Sequence, residues 1–119
     1  DADKLPKIFY VNWFRKDSNG RFLWPGFGEN SRVLKWIFER TDGGGKADKT
    51  AIGYMPTTDA LDIAGLDVSA ADMAELLKLD KEEWQAEVAS IKEHYAKYGR
   101  MPEELQKQLA ALEARIEAM

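Results

Sequence analysis

The chain reads as α+β: a short N-terminal β-hairpin with a capping helix, followed by a helical region that ends in an antiparallel helical hairpin. Three observations predict this. Residues 8–14, IFYVNWF, are β-branched and aromatic, and the strong hairpin signal Asn19-Gly20 follows them. Residues 69–119 hold two N-cap patterns and two apolar stripes with the same helical spacing. Charge divides along the same line. Residues 1–60 carry 10 basic and 8 acidic side chains, and residues 61–119 carry 7 and 13. With 119 residues, 45% of them hydrophobic, both halves belong to one compact domain: an aromatic segment over 1–60 and a helical segment over 61–119.

Taken in order, IFYVNWF is a strand in which Phe9, Val11 and Trp13 face one way and Ile8, Tyr10, Asn12 and Phe14 the other. Phe22-Leu23-Trp24 returns as a second strand until Pro25. Asn30 or Ser31 caps a helix over 31–41 with an apolar face of Val33, Leu34, Ile37 and Phe38. Thr41-Asp42-Gly43-Gly44-Gly45-Lys46 stops it in a flexible loop, and residues 52–56 are a short extended piece. Ser69 with Asp72, and Asp80 with Glu83, are capping boxes, and Leu79 with Trp84 is a hydrophobic staple. The helix from Lys81 carries Trp84, Val88, Ile91, Tyr95 and Tyr98 on one stripe and stops at Gly99. Pro102 opens the last helix, with Leu105, Leu109, Leu112, Ile116 and Met119 as the matching stripe. The short connection between them makes the pair antiparallel.

Several function classes drop out. A net charge of −4 argues against nucleic-acid and anionic-membrane binding. There is no cysteine, and no apolar run approaches the roughly eighteen residues of a membrane span. DADKLPK lacks a signal pattern, so the expected location is cytoplasmic. The abrupt entry into IFYVNWF suggests a piece of a larger protein. Gly43-Gly44-Gly45-Lys46 fails the phosphate-loop pattern, with Arg40 and Ala47 where Gly and Ser/Thr belong. Gly26-Phe27-Gly28 lacks the third glycine of a dinucleotide fingerprint. His94 is the single histidine, and Asp59, Asp62 and Asp67 do not match a calcium loop, so no metal site is expected.

What remains is the aromatic segment. Nine of thirteen aromatics lie within residues 9–38. Most can be core. Phe27, however, sits between two glycines in a loop, and Phe14 and Phe22 flank the hairpin turn. Three phenylalanines beside Asn30 form a slot for a planar base, each stacked ring contributing roughly 1–3 kcal/mol. Asn30 can both donate and accept toward a base edge. A protein or peptide surface explains the same composition.

PKIFYVNWFRKD, then FLWPGFGENSRVLKWI, then IGYMP, closely resembles the C-terminal part of the GTP-dependent phosphoenolpyruvate carboxykinases. The resemblance is strong over roughly residues 5–60 and looser over 61–119. It implies an α/β parent enzyme that converts oxaloacetate and GTP to phosphoenolpyruvate, GDP and carbon dioxide in gluconeogenesis, with a divalent metal, typically manganese. It further implies that Phe14 and Phe27 stack on the guanine faces and Phe22 closes its edge. Asn30 and the backbone of Phe27-Gly28-Glu29 would read the hydrogen-bonding edge, with Trp13 and Trp24 as support behind the rings.

The family's phosphate loop, metal ligands, substrate arginines and lid lie upstream, and none of their motifs occurs here. The chain alone is therefore expected to be inactive. Its partners are then the remainder of the parent enzyme and, weakly, guanine nucleotide, with self-association through the exposed aromatic face. The alternative is a stand-alone aromatic-faced interaction module without nucleotide specificity.

Overall fold

Asp17 organises the first reversal of the chain. Its carboxylate accepts from the N–H groups of Asn19 (2.9 Å) and Arg21 (3.0 Å). Gly20 takes the left-handed conformation, φ 80°, that the turn requires. A single antiparallel bridge, Lys16 to Phe22, closes the hairpin beneath it. The computed structural model describes all of residues 1–119.

The strand expected over 8–14 does not form. The segment is extended, and its burial alternates as the pattern predicts: Phe9, Val11 and Trp13 are half-buried, while Ile8 and Tyr10 are 92% and 96% exposed. No backbone partner in the chain pairs with it. Period-two alternation specifies which side chains turn inward; a strand also needs a neighbour.

The chain divides into two compact units, residues 1–48 with 55–78, and residues 49–54 with 79–119.

In the first unit a 3-10 turn, Phe27–Glu29, leads into helix α1, Asn30–Thr41. Neither Asn30 nor Ser31 caps it. Glu29 holds the N-cap position without a side-chain cap bond, its carboxylate being held by Arg32, and the Asn30 side chain is engaged by Trp24. The inward face also differs from the expected one. Trp36 is the buried residue, Val33 and Ile37 are half-buried, and Leu34 and Phe38 are exposed. The Phe9 ring meets Trp36 edge-on at 6.0 Å. The glycine run is a helix stop: Gly43 is left-handed and Gly44 N–H returns to Glu39 O at 2.8 Å, the Schellman bond.

Strand β1, Ala47–Thr50, pairs with β2, Gly53–Pro56, in a two-stranded ribbon. Of the two, the sequence announces only β2 as extended, since Ala-Asp-Lys-Thr has no apolar alternation. Helix α2, Ala70–Leu77, starts on the expected capping box: Ser69 Oγ accepts from Asp72 N–H, and Asp72 accepts from Ser69 N–H, both at 3.0 Å. Leu23, Trp24, Trp36, Val68 and Met73 are the buried apolar residues of this unit.

The second unit is the helical hairpin. Helix α3, Lys81–Ala96, is capped by Asp80 accepting from Glu83 N–H. Helix α4, Glu103–Glu117, follows Pro102, which sits at N-cap rather than N1. The register is antiparallel: Lys81 and Gln85 reach Glu117, and Lys92 reaches Glu113. Both stripes face inward, with Val88 and Ile116 fully buried. Trp84, expected as a buried staple, is only half-buried; Tyr98, Leu105 and Met119 at the stripe ends are exposed. Arg115 Nε donates to Ala51 O at 2.7 Å, which ties α4 to the ribbon tip.

Candidate functional site

The three phenylalanines stand out of the fold although their neighbours are buried. Leu23 and Trp24 are inside, while Phe14 is 72%, Phe22 52% and Phe27 92% exposed. Phe14 and Phe22 meet across the hairpin with centroids 6.4 Å apart and planes at 65°. Phe27 touches neither ring.

Backbone chemistry places Phe27. Gly26 has φ 100° and ψ −168°, a region essentially reserved for glycine. This kink launches the 3-10 turn, closed by Glu29 N–H to Gly26 O at 3.1 Å and by Asn30 N–H to Phe27 O. The N–H groups of Phe27 and Gly28 lie in the unsatisfied first turn of a helical segment. Gly28 is different from Gly26. It has no positive φ, and a Cβ built there would meet nothing within 4 Å.

Asn30 is oriented by Trp24. The indole Nε1–H donates to Asn30 Oδ1 at 2.9 Å. An indole N–H can only donate, so the amide oxygen must face it and the NH₂ group points away. The Asn30 oxygen thus already accepts one bond, from Trp24, and the free NH₂ group offers donors. Glu29 is likewise engaged, its carboxylate held by Arg32 Nε at 2.7 Å, while Arg32 Nη1 donates to Asp62 O at 2.8 Å.

The other candidates resolve into structural roles. Lys46 Nζ pairs with Asp59 at 2.5 Å instead of facing an open loop. That bond, with the Thr57 hydroxyl second, lowers the Asp59 pKa from 3.8 to about 2. A depressed carboxylate pKa means the pair's contribution is complete above about 3.8 and disappears as pH falls toward 2. Carboxyl NMR titration should give an Asp59 midpoint near 2, moved upward in Lys46→Met; an unchanged midpoint would break the assignment. His94 packs against Tyr95 and Tyr98 on α3. No group of three or more His, Cys, Asp or Glu is placed to hold a metal, so these residues do not fit a catalytic cation. No helix is long and apolar enough to cross a membrane.

The family model described as the phosphoenolpyruvate carboxykinase C-terminal P-loop domain matches residues 1–115. The chain belongs to the GTP-dependent phosphoenolpyruvate carboxykinases. The protein named phosphoenolpyruvate carboxykinase [GTP] from Neocallimastix frontalis is 56% identical over 120 residues, covering 99% of this chain and 20% of that protein. Its counterpart from Treponema pallidum (strain Nichols) is 56% identical over 117 residues, with 97% and 19% covered. The cytosolic [GTP] enzyme of Bos taurus is 52% identical over 120 residues, with 99% and 19% covered. The chain thus spans about a fifth of the length of these carboxykinases.

Two contacts within the aromatic segment were missed from sequence. Lys16 Nζ lies 4.7 Å over the Phe22 ring, a cation–π contact that hairpin register could have suggested. Arg32 fixes Glu29, and their i,i+3 spacing was the available signal.

Proposed function

We propose that this chain forms the guanine-binding part of a carboxykinase that converts oxaloacetate and GTP to phosphoenolpyruvate, GDP and carbon dioxide, in the cytoplasm and in the service of gluconeogenesis. Phe14 and Phe27 stack on the two faces of the base and Phe22 closes its edge. Asn30 and the backbone of Phe27-Gly28-Glu29 read the hydrogen-bonding edge. The metal, typically manganese in this family, and the groups that act on the phosphates and on oxaloacetate belong to the rest of the enzyme.

The Trp24–Asn30 hydrogen bond carries this reading. It leaves the Asn30 amide as a donor. Guanine presents acceptors at O6 and N7, whereas adenine has a donor, the N6 amine, in place of O6. A donor aimed at that position favours guanine and leaves adenine with two donors opposed. The free N–H groups expected at Phe27 and Gly28 add to the same preference.

Affinity of the isolated chain is weak. Two stacked rings at roughly 1–3 kcal/mol each, less the cost of ordering the loop, fall near or below the roughly 4 kcal/mol of a millimolar complex. Titrating GTP, GDP and ATP while following amide and aromatic NMR shifts tests the reading. GTP and GDP should shift residues 14, 22 and 26–30 at millimolar concentration, and ATP should not. Equal response to ATP sinks the guanine assignment and favours the interaction-module alternative, for which exposed Ile8 and Tyr10 supply an apolar surface and a route to self-association.

Gly28 gives a second handle. Neither backbone conformation nor packing within the chain demands glycine there. Gly28→Ala should leave stability within about 0.5 kcal/mol of the parent and still weaken guanine nucleotide binding, because the new methyl occupies the space the base edge needs. Unchanged GTP binding in this variant would mean that the base does not approach the backbone.

A further inference from the structure

The hairpin that holds Phe14 and Phe22 places an arginine immediately inside each ring: Arg15 follows Phe14, and Arg21 precedes Phe22. Neighbouring residues of an extended chain leave it on opposite sides. The rings therefore project from one side and the guanidiniums from the other. Both guanidiniums end on α2, at different ends. Arg21 Nη2 donates to Asp72 Oδ1 at 2.7 Å, in the first turn. Arg15 Nη1 donates to the carbonyl of Lys78, the C-cap residue, at 3.3 Å, and its Nη2 lies 3.8 Å from the Glu75 carboxylate.

The Arg21 tie is also fixed at both of its ends. Arg21 Nε donates to Asp17 Oδ2 at 3.1 Å, the carboxylate that builds the turn. Asp72 is the capping-box acid of α2 and keeps its bond from Ser69 N–H while it receives Arg21. Both carboxylates are held below their usual range, Asp17 first by Arg21 N–H and Asp72 first by Ser69 N–H and then by Arg21. They stay ionised wherever the protein works.

One tie leaves a hairpin free to pivot; two ties at opposite ends of a helix do not. These ion pairs are partly exposed, and such pairs contribute little to global stability. Stacking, in contrast, depends on ring placement to a fraction of an ångström. The consequence of losing a tie is therefore poorer ring geometry, with little loss of fold.

We propose that Arg15 and Arg21 are positioning residues for guanine recognition, mounting the Phe14 and Phe22 rings on the two ends of α2. The proposal rests on the guanine-pocket reading of the rings. Neither arginine touches the base.

The experiment uses the full-length carboxykinase that carries this chain, with KM for GTP, KM for oxaloacetate, kcat and the thermal midpoint measured for each variant. Arg21→Gln and Asp72→Asn should each raise KM for GTP about three- to tenfold, with KM for oxaloacetate, kcat at saturating GTP and the thermal midpoint near parental values. Asn at 72 retains an acceptor for Ser69 N–H while losing the charge. The double variant should be no worse than the poorer single, because both remove one tie. Arg15→Gln should act in the same direction, and Arg21→Lys should recover part of the loss. Phe27→Ala serves as the reference. If it raises KM for GTP while Arg21→Gln does not, or if Arg21→Gln only lowers the thermal midpoint, the positioning role is overturned and the pocket stands. If the Arg21 and Asp72 effects multiply, the tie between them is overturned. If Phe27→Ala leaves KM for GTP unchanged, the pocket itself is wrong and this proposal falls with it.

Discussion

Phe27→Ala in the full-length carboxykinase should weaken GTP recognition by roughly 5- to 150-fold, the loss of one stacked ring at roughly 1–3 kcal/mol. It should do so without a stability cost. The ring is 92% exposed and pairs with no other aromatic, so removing it opens no cavity. The change should appear in KM for GTP and in the dissociation constant for GDP, with the thermal midpoint within error of the parent. A stacking ring does not distinguish bases, so the ratio of GTP to ATP affinity should move little. Asn30→Ala provides the contrast. It removes the oriented donor and leaves Trp24 Nε1 without its acceptor, so selectivity should fall together with affinity. A Phe27→Ala enzyme with parental KM for GTP would end the assignment of this ring.

The contrast between those two variants also separates what sequence made legible from what it did not. That Phe27 has nothing local to bury it follows from its place between Gly26 and Gly28, and the structure leaves it exposed. That Ser69 and Asp80 cap helices is equally local, and both caps are made. The stripes on α3 and α4 follow from spacing alone, and they bury Val88 and Ile116. The main failures depend on partners outside the segment being read. Asn30 carries a good capping side chain, but Trp24, six residues earlier, takes its oxygen. Residues 8–14 alternate as a strand does and lack a partner strand in the chain. Residues 47–50 lack any alternation and form a strand because 53–56 lie alongside. The pairs of Arg15 and Arg21 with α2 span dozens of residues and leave no periodic signal.

The same distinction makes Trp36 a sensitive position for stability. Its apolar neighbours on α1 looked the better core residues, yet Trp36 is 5% exposed and Phe38 is largely exposed. The indole and the Phe9 ring pack at 6.0 Å and 85°, an edge-to-face pair. Its Nε1–H donates to Lys46 O at 2.9 Å, tying the helix to the end of the loop that leaves it. Trp36→Ala should cost about 3–5 kcal/mol, mostly from the cavity and the lost transfer energy of a large ring. The hydrogen bond adds little to that figure, because Lys46 is exposed and water can replace the indole donor. Trp36→Phe keeps most of the ring and should cost much less, while Phe38→Ala on the same helix should stay within about 0.5 kcal/mol. Urea unfolding followed by far-UV circular dichroism reads all three without depending on the indole's own fluorescence. Against a total stability of about 5–15 kcal/mol for a natural domain, a loss of this size moves the midpoint far to lower urea. A cost below about 1 kcal/mol for Trp36→Ala would mean the ring is not buried in solution. The Phe9 contact, and with it the inward set of Phe9, Val11 and Trp13 on the extended segment, would then be wrong.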